Sequence, residues 1–190
     1  MKATTTVTKK VIPVLPADQH WQNVGKHVDC NSYQDGIFHT ENFKKVVKAF
    51  VKELRKFYKK EPFDAIVFMG VSGSILAGAL SLELGIPIVC VRKDDDNNHS
   101  SYKVTGPTNF EKYIIVDDLI SSGATVETIL YKIRCYRDNS SPKCVGIFLY
   151  NSDKPRNIKT EVENRSFHNN MKNIHETIKI YHIHWKDPSK

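Results

Sequence analysis

Hydrophobic positions change period along the chain, and each change marks an element. From Thr40, a good N-cap, the residues Phe43, Val46, Val47, Phe50, Val51, Leu54, Phe57 and Tyr58 recur at helical spacing, so one face is buried. The lysines between Lys44 and Lys60 fall largely on the other, solvated face, and Pro62 ends the helix. Ala65-Ile66-Val67-Phe68-Met69 is apolar without a break, as in a central parallel strand. It stops at Gly70, and the segment Gly70-Val71-Ser72-Gly73-Ser74 leads into a helix predicted over 75–84, with Gly85 as its stop. A second strand is predicted over 87–91, a third over 113–116, a helix over 124–136 with Val126, Ile129, Leu130 and Ile133 on one face, and a fourth strand over 143–150. Residues 93–109 form a long connection, residues 151–173 read as polar, and 178–185 alternates like a half-exposed strand. Residues 1–18 read as an irregular arm, and 20–39 has no clear period.

The order βαβ, loop, βαβ predicts an α/β fold with a mostly parallel sheet flanked by helices. With 190 residues and no internal repeat or linker, the chain is expected to be a single domain with its core over about 40–150. Hydrophobic residues at 40% and charged residues at 26% point to a globular protein. No apolar run approaches the roughly 20 residues needed to span a bilayer. Residues 1–8 carry Lys2 but no apolar stretch of the secretory kind, so a cytoplasmic location is expected. Cys30, Cys90, Cys135 and Cys144 are widely spaced and read as structural thiols. The formal net charge of +7 suits an anionic partner, small phosphates or nucleic acid, without choosing between them.

The chemistry concentrates in Tyr113-Ile114-Ile115-Val116-Asp117-Asp118-Leu119-Ile120-Ser121-Ser122-Gly123-Ala124-Thr125. A buried strand ends in two acids, a loop of small polar residues follows, and a helix begins. Asp117 and Asp118 can accept hydrogen bonds from vicinal sugar hydroxyls. Ser121, Ser122 and Thr125, with the backbone N–H groups at the helix start, can cradle a phosphate with no lysine required. Taken alone, such a turn also reads as an ordinary helix cap, and so does the Gly-Ser turn at 70–74. In a parallel sheet the loops after the strands at 65–69, 87–91 and 113–116 should converge beyond their carboxyl ends.

The string at 113–125 resembles the phosphoribosyl pyrophosphate (PRPP) motif of the type I phosphoribosyltransferases: four hydrophobic residues, two acids, a short spacer, then Gly-x-Thr. The similarity extends over about 64–150. The resemblance implies that Asp117 and Asp118 hold the ribose 2′ and 3′ hydroxyls. It also implies that the loop from Leu119 and Ile120 through Ser121, Ser122, Gly123, Ala124 and Thr125 holds the 5′-phosphate. Val71, Ser72 and Gly73, with Arg92 and Lys93, are then expected to face pyrophosphate. It implies Mg²⁺ arriving with the diphosphate, a nucleobase as acceptor, a homodimer, and a small hood built from 1–39 and 151–190. Arg92-Lys93 and Ser101-Tyr102 are similar to pairs in purine-type members, so a purine is the expected base. Closure of residues 93–109 is expected to exclude water.

The chain also departs from the family pattern. Ala124 stands where many members have Gly or Lys, the 70–74 segment lacks the arginine of adenine-type members, and Asp94-Asp95-Asp96 is unusually acidic beside a diphosphate site. These departures and the +7 charge motivate a second reading, a non-catalytic sensor of PRPP or a nucleotide that contacts nucleic acid; an orotate-type transferase is a further alternative. His175, His182 and His184 are read as surface or core residues in preference to metal ligands. Trp21, Phe38, Tyr150 and Trp185 are candidates to stack on a base.

Overall fold

The computed structural model describes residues 38–93, 103–136, 141–150 and 161–185. Helix α1 covers Thr40–Tyr58 and buries Val46, Phe50, Val51 and Leu54, while Lys44, Lys45, Lys48, Lys52 and Lys56 face solvent. Tyr58, expected on the buried face, is exposed. Strand β1, Ala65–Met69, is buried at every position and passes directly into helix α2, Gly70–Leu84. The turn expected at 70–74 is thus already the first turn of α2. Gly70 reverses the chain in one residue at φ 82°, a backbone region that side-chain-bearing residues seldom enter. Then come β2 (Ile88–Val91), β3 (Val104–Thr105), β4 (Lys112–Asp117), helix α3 (Ala124–Tyr136), β5 (Lys143–Leu149), β6 (Glu161–Asn169) and β7 (Ile174–His182).

These strands form one sheet in the order β3-β2-β1-β4-β5-β7-β6. The pairs β2–β1, β1–β4, β4–β5 and β5–β7 are parallel, and the two edges, β3 on β2 and β6 on β7, are antiparallel. The mostly parallel α/β sheet read from the sequence is the observed architecture. Each face of the sheet has its own core. Val126, Ile129, Leu130 and Ile133 of α3 pack with Val67, Ile115, Ile147 and Ile180 on one side. Helices α1 and α2 contribute Phe50, Leu54, Leu76 and Leu80 to a core with Ile66, Ile114 and Phe148 on the other.

Two stretches differ from expectation. Inside the long connection at 93–109, Val104 and Thr105 pair with Val91 and Cys90, so that connection returns along the sheet edge; residues 94–102, with the acidic run and Ser101-Tyr102, lie outside the described residues. The polar stretch at 151–173 contains β6, and β7 begins at Ile174, ahead of the 178 expected. Glu161–His182, expected in a hood, therefore continues the sheet as a hairpin. Only Phe167 of β6 is fully buried, which is why no hydrophobic period announces the strand. Its turn is built from asparagines: the Asn169 side chain accepts from the Lys172 N–H, and Asn173 takes the left-handed conformation at φ 52°. The N-terminal part of the proposed hood, residues 1–37, lies outside the described residues.

Candidate functional site

The sheet order reverses at β1. From there one connection runs through α2 to β2, and β4 lies on the opposite side, so the carboxyl ends of β1 and β4 flank a crevice. Ligands of parallel sheets bind at such a point. A cavity of about 370 Å³ occupies it. Its wall comes from Gly70, Val71 and Ser72 of α2, from Lys93 after β2, and from Asp117, Asp118, Leu119, Ile120, Ser121, Ser122, Gly123 and Thr125. Two loops 45 residues apart in sequence thus meet, and Lys93 joins them.

Two helix N-termini open onto this cavity. The first N–H groups of a helix have no acceptor within it, and the helix dipole makes that end positive. Helix α2 begins at Gly70 and α3 at Ala124. Gly123, at φ 98°, supplies the carbonyl that accepts from the Glu127 N–H, and the Ser122 hydroxyl accepts from the Ala124 N–H at 3.3 Å.

Between the helix ends lie two buried acids, Asp117 and Asp118, at 7% and 8% exposure. Asp117 Oδ1 accepts from the Ser72 hydroxyl at 3.1 Å and from the Asp118 N–H at 2.9 Å, and Asp118 Oδ1 accepts from the Leu119 N–H at 2.7 Å. Burial, then the charge of Asp118, pushes the Asp117 carboxyl up to about 7, against the opposing pull of the Asp118 N–H and the Ser72 hydroxyl. The two donors are outweighed by desolvation. Tyr150, fully buried at the end of β5, donates a long hydrogen bond of 3.4 Å to the Ser72 carbonyl, and its phenol is held well above the ordinary range by burial and by both acids. It is a core residue and offers no face to a base.

Three of the residues picked from the sequence lie off the cavity wall. Gly73 is buried beneath it: a Cβ there would fall 2.9 Å from both Phe68 Cβ and the Val116 carbonyl oxygen, so its role is to let α2 approach the sheet. Ala124 lies one residue outside the lining. Arg92 is engaged through its backbone: its N–H donates to the Lys103 carbonyl at 2.9 Å and its carbonyl accepts from Lys132 Nζ at 2.7 Å, while its Nε is buried without a partner among the described residues. Lys132, at 8% exposure on α3, is a buried cation that sequence reading did not single out. Lys93 does reach the cavity, its Cε passing 3.7 Å from where a Cβ on Gly70 would stand.

The other candidates separate. Trp185 donates to the Tyr150 carbonyl at 2.8 Å and is partly buried, Phe38 is exposed, and Trp21 lies outside the described residues. His175 pairs with His168 across the β6–β7 hairpin at 2.8 Å, and His182 Nε2 lies 3.3 Å from Glu163. No three metal-binding side chains cluster among the described residues. Cys90, Cys135 and Cys144 form no disulfide among the described residues, and burial raises the Cys144 thiol far above the ordinary range. No helix of the described residues is long and apolar enough to cross a membrane.

The phosphoribosyl transferase domain family matches residues 34–180. The hypoxanthine/guanine phosphoribosyltransferase of Methanothermus fervidus is 27% identical over 121 residues, covering 57% of this chain and 63% of the relative. That of Methanobrevibacter ruminantium is 28% identical over 102 residues, covering 47% and 54%. The chain thus matches less than two thirds of the length of either relative. Among solved structures, adenine phosphoribosyltransferase from Saccharomyces cerevisiae aligns with a TM-score of 0.48 at 23% identity, over 60% of this chain and 70% of that one. Orotate phosphoribosyltransferase from Francisella tularensis aligns with a TM-score of 0.47 at 17% identity, over 59% and 52%. The family match spans every residue that lines the cavity and runs from α1 into β7, and on it the chain belongs to the phosphoribosyltransferase family.

Proposed function

We propose that this chain transfers ribose 5-phosphate from PRPP to a purine base and releases pyrophosphate. The single observation that carries the reading is the cavity in which two buried carboxylates lie between two helix N-termini. A ribose diphosphate ester needs both: acceptors for vicinal hydroxyls and donors for phosphates at either end. Asp117 and Asp118 take the hydroxyls, and the loop Leu119, Ile120, Ser121, Ser122, Gly123 and Thr125 takes the 5′-phosphate, with Ala124 contributing as the start of α3. Val71 and Ser72 at the start of α2, with Lys93, face the diphosphate; Gly73 and Arg92 support that wall from behind.

Displacement at ribose C1 places positive charge on the sugar and negative charge on the departing diphosphate. Asp117 and Asp118, already desolvated, stabilise the first without reorganising, and Lys93 and the α2 dipole stabilise the second. The base brings its own nitrogen, so no protein nucleophile is required. Mg²⁺ would arrive with PRPP, held by diphosphate and ribose oxygens and water with no direct protein ligand; the hard, buried oxygens of Asp117 and Asp118 beside it suit that charge, and the ion would neutralise the leaving group. The purine preference draws on the names of the two curated relatives. The reading extends to a homodimer on the family resemblance alone, which light scattering tests.

The decisive experiment mixes protein, Mg²⁺ and PRPP with adenine, hypoxanthine, guanine, xanthine, orotate or uracil and follows pyrophosphate. Release that depends on a purine is expected. PRPP binding with no base-dependent release would replace the transferase by the sensing reading.

A further inference from the structure

The outer side of the 121–123 loop is covered by β6. Strand alternation places Arg165, Phe167 and Asn169 on the face toward α3. Arg165 Nη2 donates to the Ser121 carbonyl at 2.9 Å and to the Ser122 carbonyl at 3.1 Å. Its guanidinium lies 5.7 Å from the centre of the Phe167 ring, and the same ring packs against Gly123, where a Cβ would come within 3.3 Å of it. Among the described residues no carboxylate pairs with Arg165, so its charge is spent on the loop carbonyls. The hairpin is fixed along α3 by further polar ties. Asn169 Nδ2 donates to Glu127 at 2.8 Å, Lys172 Nζ to the Thr128 hydroxyl at 2.9 Å, and Arg134 reaches both the Asn173 carbonyl and Glu176.

The peptide unit is planar and trans, so its C=O and N–H point in opposite directions. A carbonyl of residue 121 held outward aims the N–H of Ser122 inward, and a carbonyl of 122 held outward does the same for Gly123. Inward is the cavity, whose wall includes Ser122 and Gly123 and not Arg165. We infer that Arg165 is a positioning residue for the phosphate loop, holding two consecutive peptide units with their donors turned into the cavity and adding a positive charge behind them. This rests on the ribose 5-phosphate reading of that loop. It makes the C-terminal hairpin part of the donor-substrate site, 44 residues beyond the Ser121 it grips.

The test measures ribose 5-phosphate and PRPP binding by calorimetry, steady-state kinetics with the best base, and thermal unfolding without ligand. Arg165→Ala should weaken ribose 5-phosphate and raise KM for PRPP by about tenfold or more, leave KM for the base unchanged, and melt within a few degrees of the wild type. Arg165→Lys, which keeps a cationic donor, should recover part of the loss. Asn169→Ala, which removes a tie of the same hairpin away from the loop, should lower the melting temperature and leave ribose 5-phosphate affinity unchanged. Wild-type binding matched within twofold by Arg165→Ala would overturn the inference, as would an equal loss in Asn169→Ala. If the wild type itself binds neither ribose 5-phosphate nor PRPP, the reading of the loop fails and takes this inference with it.

Discussion

The Ser72 hydroxyl donates to Asp117 Oδ1 at 3.1 Å, joining the first turn of α2 to the end of β4. This contact opposes the burial that drives the Asp117 carboxyl up to about 7. Ser72→Ala removes it, so the carboxyl should rise further. In a pH profile of kcat/KM for PRPP, the acid limb of the wild type is expected near 7, since only the ionised Asp117 stabilises the positive charge that develops on the sugar. The variant's limb should move to higher pH. A limb that stays in place would separate Asp117 from the activity.

Asp117→Asn should make the ligand-free protein more stable and the substrate complex weaker. The sign follows from the raised value. Between the ordinary aspartate range near 4 and about 7, the folded protein keeps a proton that the unfolded chain has released, so stability falls as pH rises through that window. Above it the burden is constant. The asparagine variant lacks that slope and should gain on the order of a few kcal/mol at pH 8, read from urea unfolding, while PRPP affinity drops at least tenfold. A variant less stable than the wild type at pH 8 contradicts the account.

Gly73→Ala tests how closely α2 must lie on the sheet. The added methyl meets the Val116 carbonyl and Phe68 Cβ, both at 2.9 Å, and neither is a flexible side-chain end. A loss of about 1–3 kcal/mol in urea unfolding is expected, with a raised KM for PRPP because the start of α2 is displaced from the cavity. Full stability in the variant would show that α2 can shift without cost.

Lys132→Met keeps the length of a buried side chain and removes the donor to the Arg92 carbonyl. The variant also removes a desolvated cation, so stability should change little. The end of β2, which leads into Lys93, loses this hydrogen bond to α3 and keeps its apolar packing there. Pyrophosphate should then bind several-fold more weakly as a product inhibitor, and an unchanged inhibition constant would place Lys93 independently of α3.

The parts of the fold legible in the sequence are those with strong periods. Helices α1 and α3 and strand β1 carry uninterrupted helical or all-apolar patterns, and their bounds follow closely. The acids at 117 and 118 and the small residues at 121–125 were readable because a strand, a loop and a helix frame them. Strand β6 was not readable. It buries Phe167 alone and is held by pairing with β7 and by polar ties to α3, and pairing between distant segments leaves no local period. Arg165 was lost with it. Lys132 was hidden for the opposite reason, since a lysine on a helix is expected in water and this one is buried against a carbonyl. Gly73 was read as touching a ligand because a glycine beside a strand end fits both close packing and phosphate approach; only the neighbouring atoms distinguish the two.

The direct passage of β1 into α2 at Gly70 bears on the thermodynamics of anion capture. A flexible phosphate loop loses conformational freedom when it closes on its ligand, and affinity falls by that amount. Here the donors on the Ser72 side belong to a helical turn that is already formed, anchored by Gly73 against the sheet and by Ser72 to Asp117. An anion seated on this wall meets fixed dipoles and imposes no ordering on them. Its binding should therefore show a small entropic penalty and a heat that varies little with temperature.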